Sequence, residues 1–254
     1  MSGQTVAGVD WAGGEWLAVV LEDGSEIHCR IESDLESLWE SPIDFDRILI
    51  DVPIGLPDSA ETLAKREKLD SFARTVTGRS SSVFPVPARA ACEAARDGGD
   101  YETVVNENKD DLDKGLSWQS YYIAAGTGEV DAFLLETDSA KETVIESHPE
   151  VCFRGLLGEQ LEHSKNTAQG IGERLEALGG HLDDPGTVFS QLCRELVDES
   201  ADITVDDVVD ALGLCVVASY PAEELRFLPG EGYCDSEGLP MQMAYWCEES
   251  LAEL

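Results

Sequence analysis

A chain of 254 residues, 43% of them hydrophobic, can bury a sizeable core, which excludes a disordered acidic tail. Its 52 acids against 17 bases give a formal net charge of −35 and a sequence pI near 4.1. The acids are dispersed over the whole length, a balance that by itself argues against a polyanionic partner.

Dispersed acids and few lysines also describe a protein adapted to molar salt, so a halophilic archaeal origin is the expectation. At about 1 M salt the Debye length is about 3 Å, so nucleic acid is not excluded, but shape and metal would have to hold it. Seven scattered cysteines without a C-x-x-C pair suggest neither a zinc site nor a disulfide framework. The start, MSGQTVAG, lacks a signal pattern, and no apolar run nears the roughly 20 residues of a membrane span. A cytoplasmic location with no membrane partner is expected.

Residues 5–32 read as three short strands separated by Gly13-Gly14 and Asp23-Gly24, both hairpin turn chemistry. Asp34 is placed to cap a short helix over 35–40, and Arg47 to Val52 forms a fourth, continuously apolar strand, expected to be parallel to its neighbour. From 59 to about 140 the pattern turns to helices and loops, an insertion in a single domain spanning 1–254. Within it, 79–89 carries two prolines and cannot be helix. Six bases against four acids between 59 and 95 reverse the local charge, marking a surface for phosphate. Thr143 to Glu146 predicts a fifth strand, 160–200 helix broken at Gly179-Gly180, and Val208 to Tyr220 a long apolar helix. Residues 221–240 read as loop and 241–254 as one more helix.

Acids stand where apolar elements end. Asp10 closes the first strand, Asp51 the fourth, and Asp207 and Asp210 share one face of the last helix. Buried carboxylates are costly unless a partner offsets them, and Mg²⁺ takes hard oxygen ligands of this kind. The bland reading of any one of them is a solvated strand end or a helix cap.

Three antiparallel strands, a parallel strand, a fifth strand and a final helix resemble the RNase H-like fold: an α/β, mixed five-stranded sheet flanked by helices with a mainly helical insertion. GVDWAGG (8–14), IDVPIGLP (50–57), RSSSVFPVPAR (79–89), ESHPEVCF (146–153), HSKNTAQGIGERL (163–175) and DDVVDAL (206–212) are similar to a family of predicted RNase H-like nucleases long catalogued as a domain of unknown function. The resemblance implies phosphodiester hydrolysis with two Mg²⁺ or Mn²⁺ ions on a DNA or RNA substrate. Asp10 would bridge both ions, Asp51 and Asp210 would complete one site each, and Asp207 would hold the second ion or orient water. Asp206 is expected to cap the helix or face water. An isologous homodimer would suit a resolvase-like task.

Several residues keep two readings. Glu146 is a fifth ligand or the partner of a base in the insertion; His148 is a general acid or base, or bonds a turn. Arg79, Ser82 and Arg89 grip phosphate or tie down a proline-rich loop. Gln119 reaches a base or is a buried amide, and Lys165 and Arg174 contact substrate or form surface ion pairs. Family members carry a lysine and an arginine before the Glu129-Val130-Asp131 equivalent, where this chain has Ala125-Gly126-Thr127-Gly128. Two other functions compete: actin or sugar-kinase-like phosphotransfer, which needs a second glycine-rich phosphate loop, and a non-catalytic binding module.

Overall fold

The computed structural model describes residues 3–78, 83–196 and 203–251. β1 (Val6–Ala12), β2 (Glu15–Glu22) and β3 (Glu26–Glu32) form an antiparallel meander. Its turns put Gly13, Gly14, Asp23 and Gly24 at positive φ, in a two-residue loop between β1 and β2 and a three-residue loop between β2 and β3. Asp34 caps α1 (Leu35–Trp39), its Oδ1 accepting from Ser37 N at 2.7 Å. β4 (Arg47–Ile50) runs parallel to β1, and β5 (Val144–Glu146) runs parallel to β4. The order β3-β2-β1-β4-β5, antiparallel then parallel, is the anticipated RNase H-like topology.

Between β4 and β5 lies the mainly helical insertion: α2 (Ala60–Thr77), α3 (Arg89–Arg96), α4 (Tyr101–Leu112) and α5 (Trp118–Glu136). It has a small core of its own around Leu56, Ala91, Cys92, Val104 and Ala124. After β5 come α6 (Pro149–Leu157), α7 (Ala168–Leu178), α8 (Pro185–Leu196) and α9 (Val205–Ala218).

Successive strand residues face opposite ways, and both faces of the sheet are covered. Ala7, Val9, Ile48 and Ile50 pack with Leu35 and Leu38 of α1 and with Val130 and Leu134 of α5. Val6, Leu17 and Leu49 pack with α6 to α9. Gly8 lies directly beneath α9: a Cβ there would stand 2.1 Å from the Ala211 carbonyl oxygen and 2.3 Å from Cys215 N. Only a bare backbone lets the helix come this close, and the approach brings Asp210 alongside Asp10.

The C-terminal part departs from expectation. Instead of a loop and a helix, β6 (Arg226–Cys234) and β7 (Pro240–Tyr245) form an antiparallel hairpin. Pro229, Gly230 and Gly232 sit in a register shift between Leu228 and Tyr233, where a bulge absorbs residues that would weaken a regular ladder. Ser147, just after β5, joins the hairpin to the main sheet by donating its hydroxyl to the Ala244 carbonyl at 2.8 Å. Among the described residues no helix is long and apolar enough to cross a membrane.

Candidate functional site: an acid cluster closed by a lysine

β1 and β4 end side by side, with Asp51 N donating to the Val9 carbonyl at 2.9 Å. This sets Asp10 and Asp51 at the carboxyl edge of the parallel strands, where α/β sheets place their ligands. α9 supplies the third side. Asp210 is 1% exposed and Asp10 7%, whereas Asp51 and Asp207 are half-buried.

Burial pushes the Asp10 carboxyl well above its usual range, and the charges of Asp51 and Asp210 push it further. Burial likewise raises Asp51, opposed by His148 and Lys165, and lifts Asp210 to about 7 against the pull of Lys165. Asp10, Asp51 and Asp210 thus feel one another's charge.

The group in their midst is an ammonium. Lys165, from the α6–α7 loop, pairs with Asp210 Oδ2 and lies 3.8 Å from Asp206 Oδ2. Burial works to lower its pKa, but Asp210, Asp10 and Asp51 together raise it, so it stays charged. The second oxygen of Asp210, Oδ1, is buried with no hydrogen-bond partner among the described residues. Among the described residues no three His, Cys, Asp or Glu side chains are grouped so as to hold a metal ion. As placed, the acids and Lys165 do not fit the pair of divalent ions that the resemblance implies.

Beside the cluster opens a cleft of about 360 Å³, within the range of small-molecule sites. Its polar end holds Asp51, His148, Glu150, Lys165, Asn166 and Asp210; Val83, Phe84, Val86 and Ile123 of the insertion form an apolar wall.

A family model described as "Protein of unknown function (DUF429)" matches residues 8–233. The chain belongs to the DUF429 family. Neither the curated proteins nor the solved structures contain a match to it. The DUF429 match takes in both strand acids, Lys165, the α9 acids and the insertion.

Elsewhere in this DUF429 chain the structure separates structural residues from site residues. Glu146 takes the second of its two readings: it is 2% exposed and held by Arg66, with Nη1 at 2.8 Å and Nη2 at 2.5 Å, and by Ile54 N at 2.8 Å. Arg66 also bonds Asp70 Oδ1 at 3.0 Å, so one guanidinium ties α2 to β5. Arg89 does not face phosphate: it is buried between Asp131 and Asp235, with Asp58 at 3.4 Å. Arg174 is buried against Glu150 rather than paired on the surface.

The positive window over 59–95 is therefore no phosphate surface in its described part. Arg66 and Arg89 are buried, Arg74 donates to the Val83 carbonyl, Lys65 pairs with Glu61 and Lys68 bonds Tyr233. Arg79 and Ser82 lie outside the described residues. Gln119 is exposed on α5, not a buried amide. His148 caps α6, its Nδ1 accepting from Glu150 N at 3.2 Å, and also lines the cleft.

Thr204 is the N-cap of α9 and Asp207, not Asp206, completes its capping box: Asp207 Oδ2 accepts from Thr204 N and Oγ1, both at 2.7 Å. Asp206 instead accepts from Thr204 Oγ1 at 2.6 Å and faces Lys165. Arg66 and Glu150 were the residues that sequence reasoning passed over. A base and an acid separated by 80 residues carry no local signal of their pairing.

Proposed function

We propose that this protein is a nucleotide- or nucleic-acid-binding member of the RNase H-like arrangement, with the cleft beside the acid cluster as its binding site. The observation that carries the reading is the division of that cleft between an apolar wall and a polar end built around Lys165. A nucleobase is flat with apolar faces, and Phe84, Val86 and Ile123 offer it surface; a phosphate oxygen would meet the Lys165 ammonium. The raised pKa of Asp210, about 7, lessens the repulsion, because a carboxyl protonated part of the time near neutrality can donate a hydrogen bond to an anion.

A second reading, hydrolysis of phosphodiester bonds with divalent ions, is favoured by one observation: the buried Asp210 Oδ1, without a partner among the described residues and next to Asp10. It requires Lys165 to leave the cluster. Phosphotransfer of the actin and sugar-kinase kind has no comparable support.

The test is fluorescence anisotropy with labelled mononucleotides and short DNA and RNA strands in concentrated KCl. Wild type should bind and Ile123→Glu, which puts a charge into the apolar wall, should not. Failure to bind any of them sinks the reading. Parallel incubation of branched DNA, single strands and RNA–DNA hybrids with Mn²⁺ decides the second reading: cleavage that Asp10→Asn abolishes would establish it.

A further inference from the structure

We infer that Lys165 is the resident cation of the acid cluster, and that the cluster admits a divalent ion only when the Lys165 side chain swings out. The inference rests on the acid cluster being the ligand site proposed above, and deepens it by assigning what controls that site's charge.

Three independent features carry it. The first is position. The ammonium contacts Asp210 Oδ2, lies 3.8 Å from Asp206 Oδ2, and feels the charges of Asp10 and Asp51. One compact positive charge thus answers acids from β1, β4 and α9, the three elements that a bound metal would have to join. A divalent ion and an ammonium cannot both occupy that space.

The second feature is the unfilled capacity of the site. Asp210 is 1% exposed, yet Oδ1 has no partner among the described residues. A buried carboxylate oxygen left unbonded is costly. Lysine, a single point charge, satisfies one oxygen of Asp210 and leaves the other with capacity for a second cationic partner.

The third feature is that Lys165 can leave without disturbing its loop. Thr167 N and Oγ1 donate to the Ser164 carbonyl at 3.0 and 2.8 Å, and Gly170 N donates to Thr167 Oγ1 at 3.0 Å. Glu162 N and His163 N are held by Glu173 at 2.5 and 2.9 Å. None of these bonds involves the Lys165 side chain, which is 35% exposed and carries four rotatable methylenes. Withdrawal is a rotamer change toward solvent, with the backbone fixed on both sides.

The inference divides the two functional readings. With Lys165 inside, its ammonium offsets part of the carboxylate charge and is the group an anion would meet; with Lys165 outside, the same carboxylates are a hard-oxygen site for Mg²⁺ or Mn²⁺.

The experiment is Mn²⁺ binding, by titration calorimetry and by the electron paramagnetic resonance signal of free Mn²⁺, on the full chain. Variants are Lys165→Met, Lys165→Arg, and Lys165→Met combined with Asp10→Asn, each first checked for cooperative melting. Lys165→Met should bind Mn²⁺ at least about tenfold more tightly than wild type, and the added Asp10→Asn should remove the gain. Lys165→Arg, which keeps a cation in place, should bind as weakly as wild type. Equal affinities in wild type and Lys165→Met, or no binding in either, would overturn the inference. If Lys165→Met does not fold, tight Asp10-dependent Mn²⁺ binding by wild type or Lys165→Arg overturns it, and weak binding by both sustains it. Nucleotide binding is not read in this titration, so either Mn²⁺ result leaves the anisotropy test to stand or fall separately.

Discussion

Lys165 and Asp210 are 45 residues apart in the chain and meet as a part-buried ion pair at the carboxyl edge of the sheet. The pair is lopsided, because Asp210 brings with it Asp10, Asp51 and the nearby charge of Glu150, while Lys165 comes alone. A cluster with surplus carboxylate is under electrostatic tension, and that tension can be measured without knowing the ligand.

Its first consequence is a pH dependence of stability. Asp210 has its folded pKa raised from 3.8 to about 7, so in that interval the folded chain holds a proton that the unfolded chain has released. Stability from this group is present at the acid end and is lost as pH rises from about 4 to about 7. Asp210→Asn should melt at a higher temperature than wild type at neutral pH, the difference shrinking toward about pH 4. Thermal melts that run parallel across that range would refute the assignment.

Arg66 answers two carboxylates in a site almost closed to water, so its loss should be severe. Arg66→Met strands Glu146 and Asp70 and is expected to cost about 3–5 kcal/mol in urea unfolding. Adding Glu146→Gln should recover part of that loss. If Glu146 were a metal ligand instead, the single variant Glu146→Gln would weaken Mn²⁺ binding with little change in unfolding.

Arg89 gives a contrast between two cations of the same charge. Its guanidinium reaches Asp131 through two nitrogens and Asp235 through one of them, a geometry that an ammonium cannot copy. Arg89→Lys should lower stability by about 1–3 kcal/mol and leave nucleotide affinity per folded molecule unchanged. A loss of affinity at unchanged stability would return Arg89 to the binding surface.

Tyr122 is 68% exposed on α5, one residue from Ile123 of the cleft wall, and lies tilted beside Trp118, itself 55% exposed, with ring centroids 6.1 Å apart. Such rings are platforms for unpaired bases, each worth about 1–3 kcal/mol. Tyr122→Ala should leave the melting temperature nearly unchanged and weaken single-strand binding about tenfold, with mononucleotide binding unaffected. Equal loss for both ligands would mean that the ring acts through the cleft wall.

Much of the scaffold was legible in the sequence because its signals are local. Gly13-Gly14 and Asp23-Gly24 encode turns, the unbroken apolar run ending at Ile50 encodes a strand covered on both faces, and Asp34 encodes a cap. The acids at strand ends were legible for the same reason. What escaped depends on distant pairing. A count of bases over 59–95 cannot tell that Arg66 and Arg89 are consumed by Glu146 and by Asp131 and Asp235. Asp206 and Asp207 are neighbours with the same chemistry, both accept from the Thr204 hydroxyl, and only the bond from Thr204 N decides which one completes the capping box. Pro229 and the glycines after it read as loop because a bulge tolerates what a regular strand does not.

The contact between Gly8 and the Ala211 carbonyl bears on how this protein can be dissected. Mutational surveys delete side chains and watch what fails, and such a survey would find the carboxylates, Lys165 and Arg66. It would pass over the position that sets the spacing between the first strand and the last helix, because Gly8 has nothing to delete. That spacing is exposed only by addition: a single methyl group at Gly8 meets backbone on the helix side, and the acids of β1 and α9 would part without any of them having been changed.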